Sequence, residues 1–161
     1  MGYKVTTQGM DELTQMLAGL KDAAPGVAAA GLYEGAGLMA DKVSQAVQGI
    51  ATKRFKYPAP PGKARMPSPE EKEILEKARH GIAKFKNTGD TVNTSVGFQN
   101  SGYATLNGRT VPVPVIANAI NSGTSFMKKQ PFFRSAVSRN RTAVQEAIKN
   151  GVIKAIDEMT K

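Results

Sequence analysis

The sequence predicts an α+β fold, in which a small antiparallel or mixed sheet of about three to four strands packs against two long helices. Three observations predict it. Apolar residues recur at helical spacing before residue 50 and again after residue 132, and apolar and polar residues alternate at 92–98. Residues 51–67 are basic and rich in proline, which predicts an extended loop within a single domain at 1–161. We call residues 51–67 the arm.

Two helices are expected before the arm. Residues 10–20 carry a helical apolar stripe, residues 23–26 contain a Pro-Gly pair that predicts an interruption, and residues 27–50 carry a second apolar seam. Three glycines lie in that seam: Gly31, Gly35 and Gly37. Because each weakens a helix by up to about 1 kcal/mol relative to Ala, they indicate close approach of another backbone, in the same chain or in another subunit.

A third helix is predicted to begin after the arm. Ser68 can act as N-cap, Pro69 as the first helical residue and Glu71 as the capping-box partner. The apolar pattern continues through Ile82 and predicts an end near residues 84–87.

The middle of the chain predicts strands. The alternation at 92–98 indicates one strand, and the Asn-Gly pair at 107–108 indicates a type I′ hairpin between 103–106 and 109–113. Prolines at 112 and 114 confine the returning strand to a sheet edge or a bend. Residues 115–120 fit either a short helix or a strand.

The pattern at 118–136 predicts a turn, then a basic segment that leads to Pro131, and then the start of a long helix at 132–159. Gly123 can adopt the positive φ that ends an element, residues 125–130 are basic, and Pro131 is suited to the first turn of the helix. Gly151, after Asn150, can kink that helix. Its expected core face consists of Phe133, Ala136, Val137, Val144, Ala147, Ile148, Ile153 and Ile156.

The composition predicts modest stability for a single subunit. Apolar residues make up 40% of the chain, but much of that share is Ala, with six Phe, four Tyr and no Trp. Further burial is therefore expected from contacts between subunits. The absence of Cys excludes thiolate metal sites and thiol nucleophiles, and no apolar run is long enough to span a bilayer.

The net charge of +9 is unevenly distributed. No acidic residue occurs at 43–69 or at 91–145, although both stretches contain Lys and Arg. Such segments attract polyanions, and they also suit a solvated surface or an acidic neighbour in an assembly. The candidates for contacts with DNA or an acidic partner are Lys53, Arg54, Lys56, Lys63, Arg65, Lys128 and Lys129.

We find no pattern typical of an active site, and we expect neither an enzyme nor a cofactor or metal. His80 is the only histidine, and it lies among basic neighbours. The acidic cluster at 70–76 is explained by capping and by the helix dipole. In the arm, Phe55 and Tyr57 alternate with bases, a mixture found in single-strand binders. Docking on a neighbouring subunit is the favoured interpretation.

One part of the chain resembles a known family. Gly123-Thr124, a short basic spacer, Gln-Pro-Phe-Phe-Arg-Ser-Ala at 130–136 and a long C-terminal helix are similar to the minor tail-component proteins of long-tailed bacteriophages, the neck or tail-completion proteins. Many relatives have an acid at the position of Asn121, and Pro at the position of Ser135.

The resemblance implies a non-catalytic virion protein that completes the tail and joins it to the head. Such proteins form rings, often hexameric, that contact head-completion or connector proteins and tail-tube proteins, with genome DNA passing through the lumen. It implies a location in the virion neck or tail, and in host cytoplasm during assembly, without a membrane partner. The candidate assembly residues are Phe55, Tyr57, Gly123, Thr124, Pro131, Phe132, Phe133 and Arg134. A basic DNA-packaging or nucleoid-type accessory protein is the alternative.

Overall fold

The fold combines helices and short strands, which confirms the α+β class. The structure, a computed structural model, describes residues 10–54, 63–78, 81–82, 86–88, 91–98 and 101–161. Within these residues the helices are α1 (Met10–Gln48), α2 (Pro69–Lys77), α3 (Val113–Ser122) and α4 (Phe132–Met159). The strands are β1 (Gly81–Ile82), β2 (Lys86–Thr88), β3 (Thr91–Asn93), β4 (Val96–Gly97), β5 (Tyr103–Leu106) and β6 (Arg109–Pro112).

The first helix is continuous, so the predicted interruption at 23–26 is wrong. Pro25 lies inside α1, where it removes one backbone hydrogen bond at a cost of about 3 kcal/mol. Five alanines at 23–30 favour the helix locally, and extensive packing of α1 on α4 stabilises it further. The contact with α4 therefore outweighs the local preference of Pro25 and Gly26 for a turn.

The glycines of α1 let α4 approach closely within the same chain. A Cβ placed on Gly31 would lie 2.5 Å from Val152 Cγ2 and 2.8 Å from the Ile148 carbonyl oxygen, and one placed on Gly151 would lie 2.9 Å from Gly31 Cα. A Cβ placed on Gly35 would likewise overlap the Ile148 side chain. The predicted close approach is confirmed at Gly31 and Gly35 and is wrong at Gly37, where a Cβ would meet nothing within 4 Å. Gly151 is a packing residue at which α4 continues without a break.

The core face predicted for α4 is only partly correct. Phe132, Ala136 and Gly151 are buried, but three residues assigned to that face are exposed: Val137 (39%), Ile153 (46%) and Ile156 (37%). Along most of its length α4 packs against α1, and one neighbour covers only one stripe of a helix. Val137, Ile153 and Ile156 therefore face solvent in the single chain.

The start of α2 is as predicted, and its end is not. The Ser68 Oγ accepts a hydrogen bond from the Glu71 N–H at 3.2 Å, and a Glu71 carboxylate oxygen accepts one from the Ser68 N–H at 2.7 Å, so the capping box is confirmed. The helix ends at Lys77, because Ala78 turns to an extended ψ of 131°. Ile82 lies in β1, where it pairs with Val96.

The strands form three two-stranded antiparallel ladders in the described residues, β1 with β4, β2 with β3 and β5 with β6. The single strand expected at 92–98 is divided between β3 and β4. Asn107 and Gly108 have φ values of 52° and 74°, as a type I′ hairpin requires. Pro112 and Pro114 lack the N–H groups that a longer ladder needs, and the chain turns into α3 there.

The core lies where α2, α3 and the start of α4 meet the C-terminal half of α1. Val43, Val47, Leu75 and Ile120 have at most 1% of their surface exposed. Phe98 contacts Phe132 edge to face, with ring centroids 6.1 Å apart. This packing fixes the position of the segment between α3 and α4.

We predict opposite effects for two glycine substitutions in α1. Gly31→Ala should lower the free energy of unfolding by about 1–3 kcal/mol, because its methyl group overlaps α4. Gly37→Ala should raise it by about 0.5–1 kcal/mol, because a Cβ there meets nothing within 4 Å. Urea denaturation of the two variants checks this. A Gly31→Ala protein as stable as the wild type would disprove the close packing.

Candidate functional site

A tight turn follows α3. We call residues 123–131 the strap. Gly123 has a φ of 78°, and a Cβ there would lie 2.9 Å from Lys129 Cβ. The Thr124 N–H donates to the Met127 carbonyl at 3.0 Å, and the Thr124 Oγ1 accepts from the Met127 N–H at 3.0 Å. Gly123 and Thr124 therefore shape the strap itself.

The strap holds both ends of the arm. At the first end, Gln130 Nε2 donates to the Ala51 carbonyl at 2.8 Å and its Oε1 accepts from the Ala51 N–H at 2.9 Å. At the other end, the Arg65 N–H donates to the Phe126 carbonyl at 2.9 Å and the Arg65 carbonyl accepts from the Lys128 N–H at 2.7 Å. The arm thus begins and ends on one short segment.

The two ends of the arm also bond to each other. The Lys53 N–H donates to the Pro67 carbonyl at 2.9 Å, which joins the two described ends of the arm at its base. The side chains of Lys53, Arg54 and Lys63 are exposed around this base. Phe55, Lys56 and Tyr57, named above as candidate contact residues, lie outside the described residues.

Arg65 is engaged within the chain. Its guanidinium donates two hydrogen bonds to the Glu71 carboxylate, at 2.7 and 2.6 Å, and a third to the Met66 carbonyl at 3.1 Å. The two paired side chains are only 12% and 4% exposed. This bidentate pair is the strong form of the interaction, so Arg65 has a structural role in fixing this end of the arm, whereas a contact with DNA or with an acidic partner was expected for it.

Asn121 caps α4 from the end of α3, a role that the sequence did not reveal. Pro131 occupies the N-cap position, one residue earlier than expected, and provides no side-chain cap. The Asn121 Oδ1 accepts from the N–H groups of Phe133 and Arg134, at 3.1 and 3.3 Å. A carboxylate oxygen could accept the same two bonds.

The two phenylalanines after Pro131 are not equivalent. Phe132 is 7% exposed and belongs to the core, and Phe133 is half-buried beside it. Arg134 is exposed. The Pro-Phe-Phe-Arg element therefore serves mainly to fix the start of α4, and it leaves Pro131 and Arg134 exposed.

An apolar groove lies on one side of the strap, beside the hairpin of β5 and β6. Its volume is about 600 Å³, and its lining includes Leu106, Val111, Val115, Ile116, Phe126 and Met127. Val115 and Phe126 are 56% and 58% exposed. Arg65, near the end of the arm, forms part of the same lining. The arm and an exposed apolar surface are thus adjacent.

A second cleft, of about 590 Å³, lies between α1, the strap and the start of α4. Its cations are Lys42, Lys129 and Arg139. Lys129 was a candidate from the sequence, whereas Lys42 and Arg139 were not, because only the packing of α1 on α4 brings them together. We call this the basic cleft.

The acidic residues of α2 form ion pairs with basic residues of the same chain. Glu71 pairs with Arg65, and Glu73 pairs with Lys77. A hydrogen bond from Lys77 and its positive charge lower the pKa of Glu73, the opposite of the shift that a general acid needs. Within the described part of the chain, no group of three or more His, Cys, Asp or Glu side chains could hold a metal ion.

Comparisons of this chain with family models, with curated proteins and with solved structures find no match. No helix among the described residues is long and apolar enough to cross a bilayer.

We predict that Arg65→Ala destabilises the fold by about 3–5 kcal/mol, because it leaves Glu71 buried without its partner. Lys63→Ala removes an exposed charge two residues earlier and should change stability by less than about 0.5 kcal/mol. Thermal denaturation followed by circular dichroism compares the two. Equal melting temperatures would show that the pair contributes nothing.

We also predict that Asn121→Ala lowers stability by about 1 kcal/mol through loss of the cap. Asn121→Asp should keep wild-type stability or exceed it, because a carboxylate accepts the same bonds and favours a helix N-terminus. Asn118→Ala is the control, since the Asn118 side chain bonds only Ser122 at the surface among the described contacts. A reduction as large in that control would argue against a capping role.

Proposed function

We propose that this chain is a structural virion protein of the phage neck or tail. It completes or terminates the tail and joins it to the head by forming an oligomeric ring, hexameric in the simplest case, through which DNA passes. Its ring would contact head-completion or connector proteins on one side and tail-tube proteins on the other. The observation that carries the proposal is the strap, which holds both ends of a basic, aromatic arm beside an exposed apolar groove.

The fixed base of the arm favours a role in assembly. A segment held at both ends loses less conformational freedom on binding than a free tail does, so more of its contact energy appears as affinity. Residues 55–61 contain Phe55, Tyr57 and three prolines. Aromatic residues are enriched in protein interfaces, and proline-rich segments dock in apolar grooves.

The apolar groove has the properties of an acceptor for that arm. Val115 and Phe126 each expose more than half of their surface, and neighbouring apolar residues make the surface continuous. In a ring, each subunit offers one patch to its neighbour and receives a different one. The arm and the groove are two such patches, and we assign the groove to the arm of the adjacent subunit.

The exposed stripe of α4 also supports oligomerisation. Val137, Ile153, Ile156 and Met159 are between 37% and 46% exposed. A contact between subunits along this helix would bury them and add stability that the small core of one chain lacks. The resemblance at 123–136 and the absence of a recognisable active site in the sequence agree with a structural role in the virion.

A basic accessory protein that binds nucleic acid, of the DNA-packaging or nucleoid type, is the second candidate. It is favoured by the exposed cations Lys53, Arg54, Lys63, Lys128 and Lys129, which lie on the strap and at the base of the arm. This role requires tight binding of duplex DNA by a monomer, with a steep dependence on salt. The ring role requires self-association.

Analytical ultracentrifugation and electron microscopy of the purified protein separate the two roles, and mass spectrometry of intact particles tests the location. We expect closed rings and presence of the protein in virions. A monomer at every concentration, together with absence of the protein from intact particles, would refute the virion role.

We predict that Phe126→Asp prevents ring formation without unfolding the chain, because it places a charge in the apolar groove. Removal of a central apolar side chain should weaken each interface by about 2 kcal/mol or more. Tyr103→Asp is the control, since Tyr103 is 74% exposed and lies outside the lining of the groove. Sedimentation shows the size of each variant, and circular dichroism shows whether it is folded. Intact rings in Phe126→Asp would exclude the groove as an interface.

A further inference from the structure

The basic cleft collects cations from three separate parts of the chain. Lys42 comes from α1, Lys129 from the strap and Arg139 from the second turn of α4. Among the described residues, no carboxylate belongs to the lining, and Asp41, the neighbour of Lys42 in sequence, does not line the cleft. Three positive charges therefore border one open space.

These charges are not neutralised inside the described part of the chain. The ion pairs that its residues form with each other involve Glu71, Glu73 and Glu76, all on α2. Within the cleft, Lys42 Nζ donates a long hydrogen bond of 3.4 Å to Gln45 Oε1. Lys129 and Arg139 are exposed to solvent. An anion in the cleft would meet positive charge without competition from a carboxylate.

Neutral donors complete the cleft. The amide of Gln45 and the hydroxyl of Ser135 lie in the same lining as the cations. Groups of this kind supply many of the hydrogen bonds that proteins make to phosphate oxygens. The Gln130 and Asn140 amides are already used, for Ala51 and for the Ala136 carbonyl respectively.

We propose that the basic cleft binds the phosphate backbone of duplex DNA. The proposal rests on the ring function above for the identity of the polyanion. A single phosphate would bind weakly to exposed cations in water. A duplex presents a row of phosphates, contacts several cations at once and releases condensed counterions, which favours binding entropically. Such contacts carry no direct sequence information, as suits a protein through which any part of a genome passes.

The test is a titration of a labelled duplex with the full chain, followed by fluorescence anisotropy at several salt concentrations. The cleft variant carries three substitutions: Lys42→Gln, Lys129→Gln and Arg139→Gln. The control variant loses the same charge from exposed positions on the C-terminal half of α4 and the chain end: Lys149→Gln, Lys154→Gln and Lys161→Gln. Circular dichroism checks that both are folded, and sedimentation records the oligomeric state of each.

We expect the cleft variant to bind at least about tenfold more weakly at low salt. The slope of log K against log salt should become less steep by about 0.9 for each phosphate that the variant no longer neutralises. The control should stay close to the wild type. Equally weakened binding in the two variants would overturn the proposal, because net charge alone would then explain binding. Binding of an acidic peptide through the cleft without binding of DNA would overturn it in favour of a protein partner.

Different results would overturn the ring function and the assignment of DNA to the basic cleft. Rings that form normally but do not bind duplex DNA would overturn the cleft assignment and leave the ring function standing. A protein that stays monomeric, yet loses DNA binding specifically in the cleft variant, would support the cleft and refute the ring.

Discussion

The ion pair of Arg65 with Glu71 is the interaction on which the arrangement around the strap depends. The backbone of Arg65 bonds Phe126 and Lys128 of the strap, and its guanidinium bonds a carboxylate that also caps α2. One residue thus connects the arm, the strap and a helix start. Because both side chains are nearly buried, neither can move away from its partner without leaving an unpaired charge in the protein.

The strap is held equally firmly at its other end. Gln130 bonds Ala51 through both atoms of its amide, and its N–H bonds the Ile120 carbonyl. Asn121 then caps α4, so that the end of one helix fixes the beginning of the next. Short segments between helices are usually variable connections. This one is fixed by hydrogen bonds at both ends, and it holds the described ends of the arm.

The parts of the fold that depend only on residues close together in sequence could be predicted. The capping box at Ser68 and Glu71, the hairpin at Asn107 and Gly108, and the positive φ of Gly123 are all encoded within a few residues. The continuity of α1 through Pro25 could not be predicted, because packing against α4 decides it. The end of α2 at Lys77 was not predicted either, because Ile82, expected in the helix, pairs in a strand with Val96, which is distant in sequence.

The same distinction applies to the site. The basic and apolar character of 51–67 and 118–136 could be predicted, but how the cations are used could not. Arg65 was expected to contact DNA or an acidic partner, and the fold turns it inward to Glu71. Arg139 belongs to the acid-free stretch at 91–145, but the sequence does not bring it together with Lys42, since α1 and α4 must pack before the two line one cleft. Charge counts describe how many cations a segment carries, whereas tertiary packing decides which of them face a common space.

The strap also explains why two different surfaces lie so close together. Phe126 lines the apolar groove and Lys129, three residues later, lines the basic cleft. Gly123 and Thr124 set the turn that positions both. A change in the turn, such as a side chain at Gly123 that displaces Lys129, would therefore disturb the groove and the cleft together. Only substitutions that keep the turn and replace one outward-facing side chain can separate the proposed subunit contact from the proposed contact with DNA, which is why Phe126 and Lys129 are the informative positions.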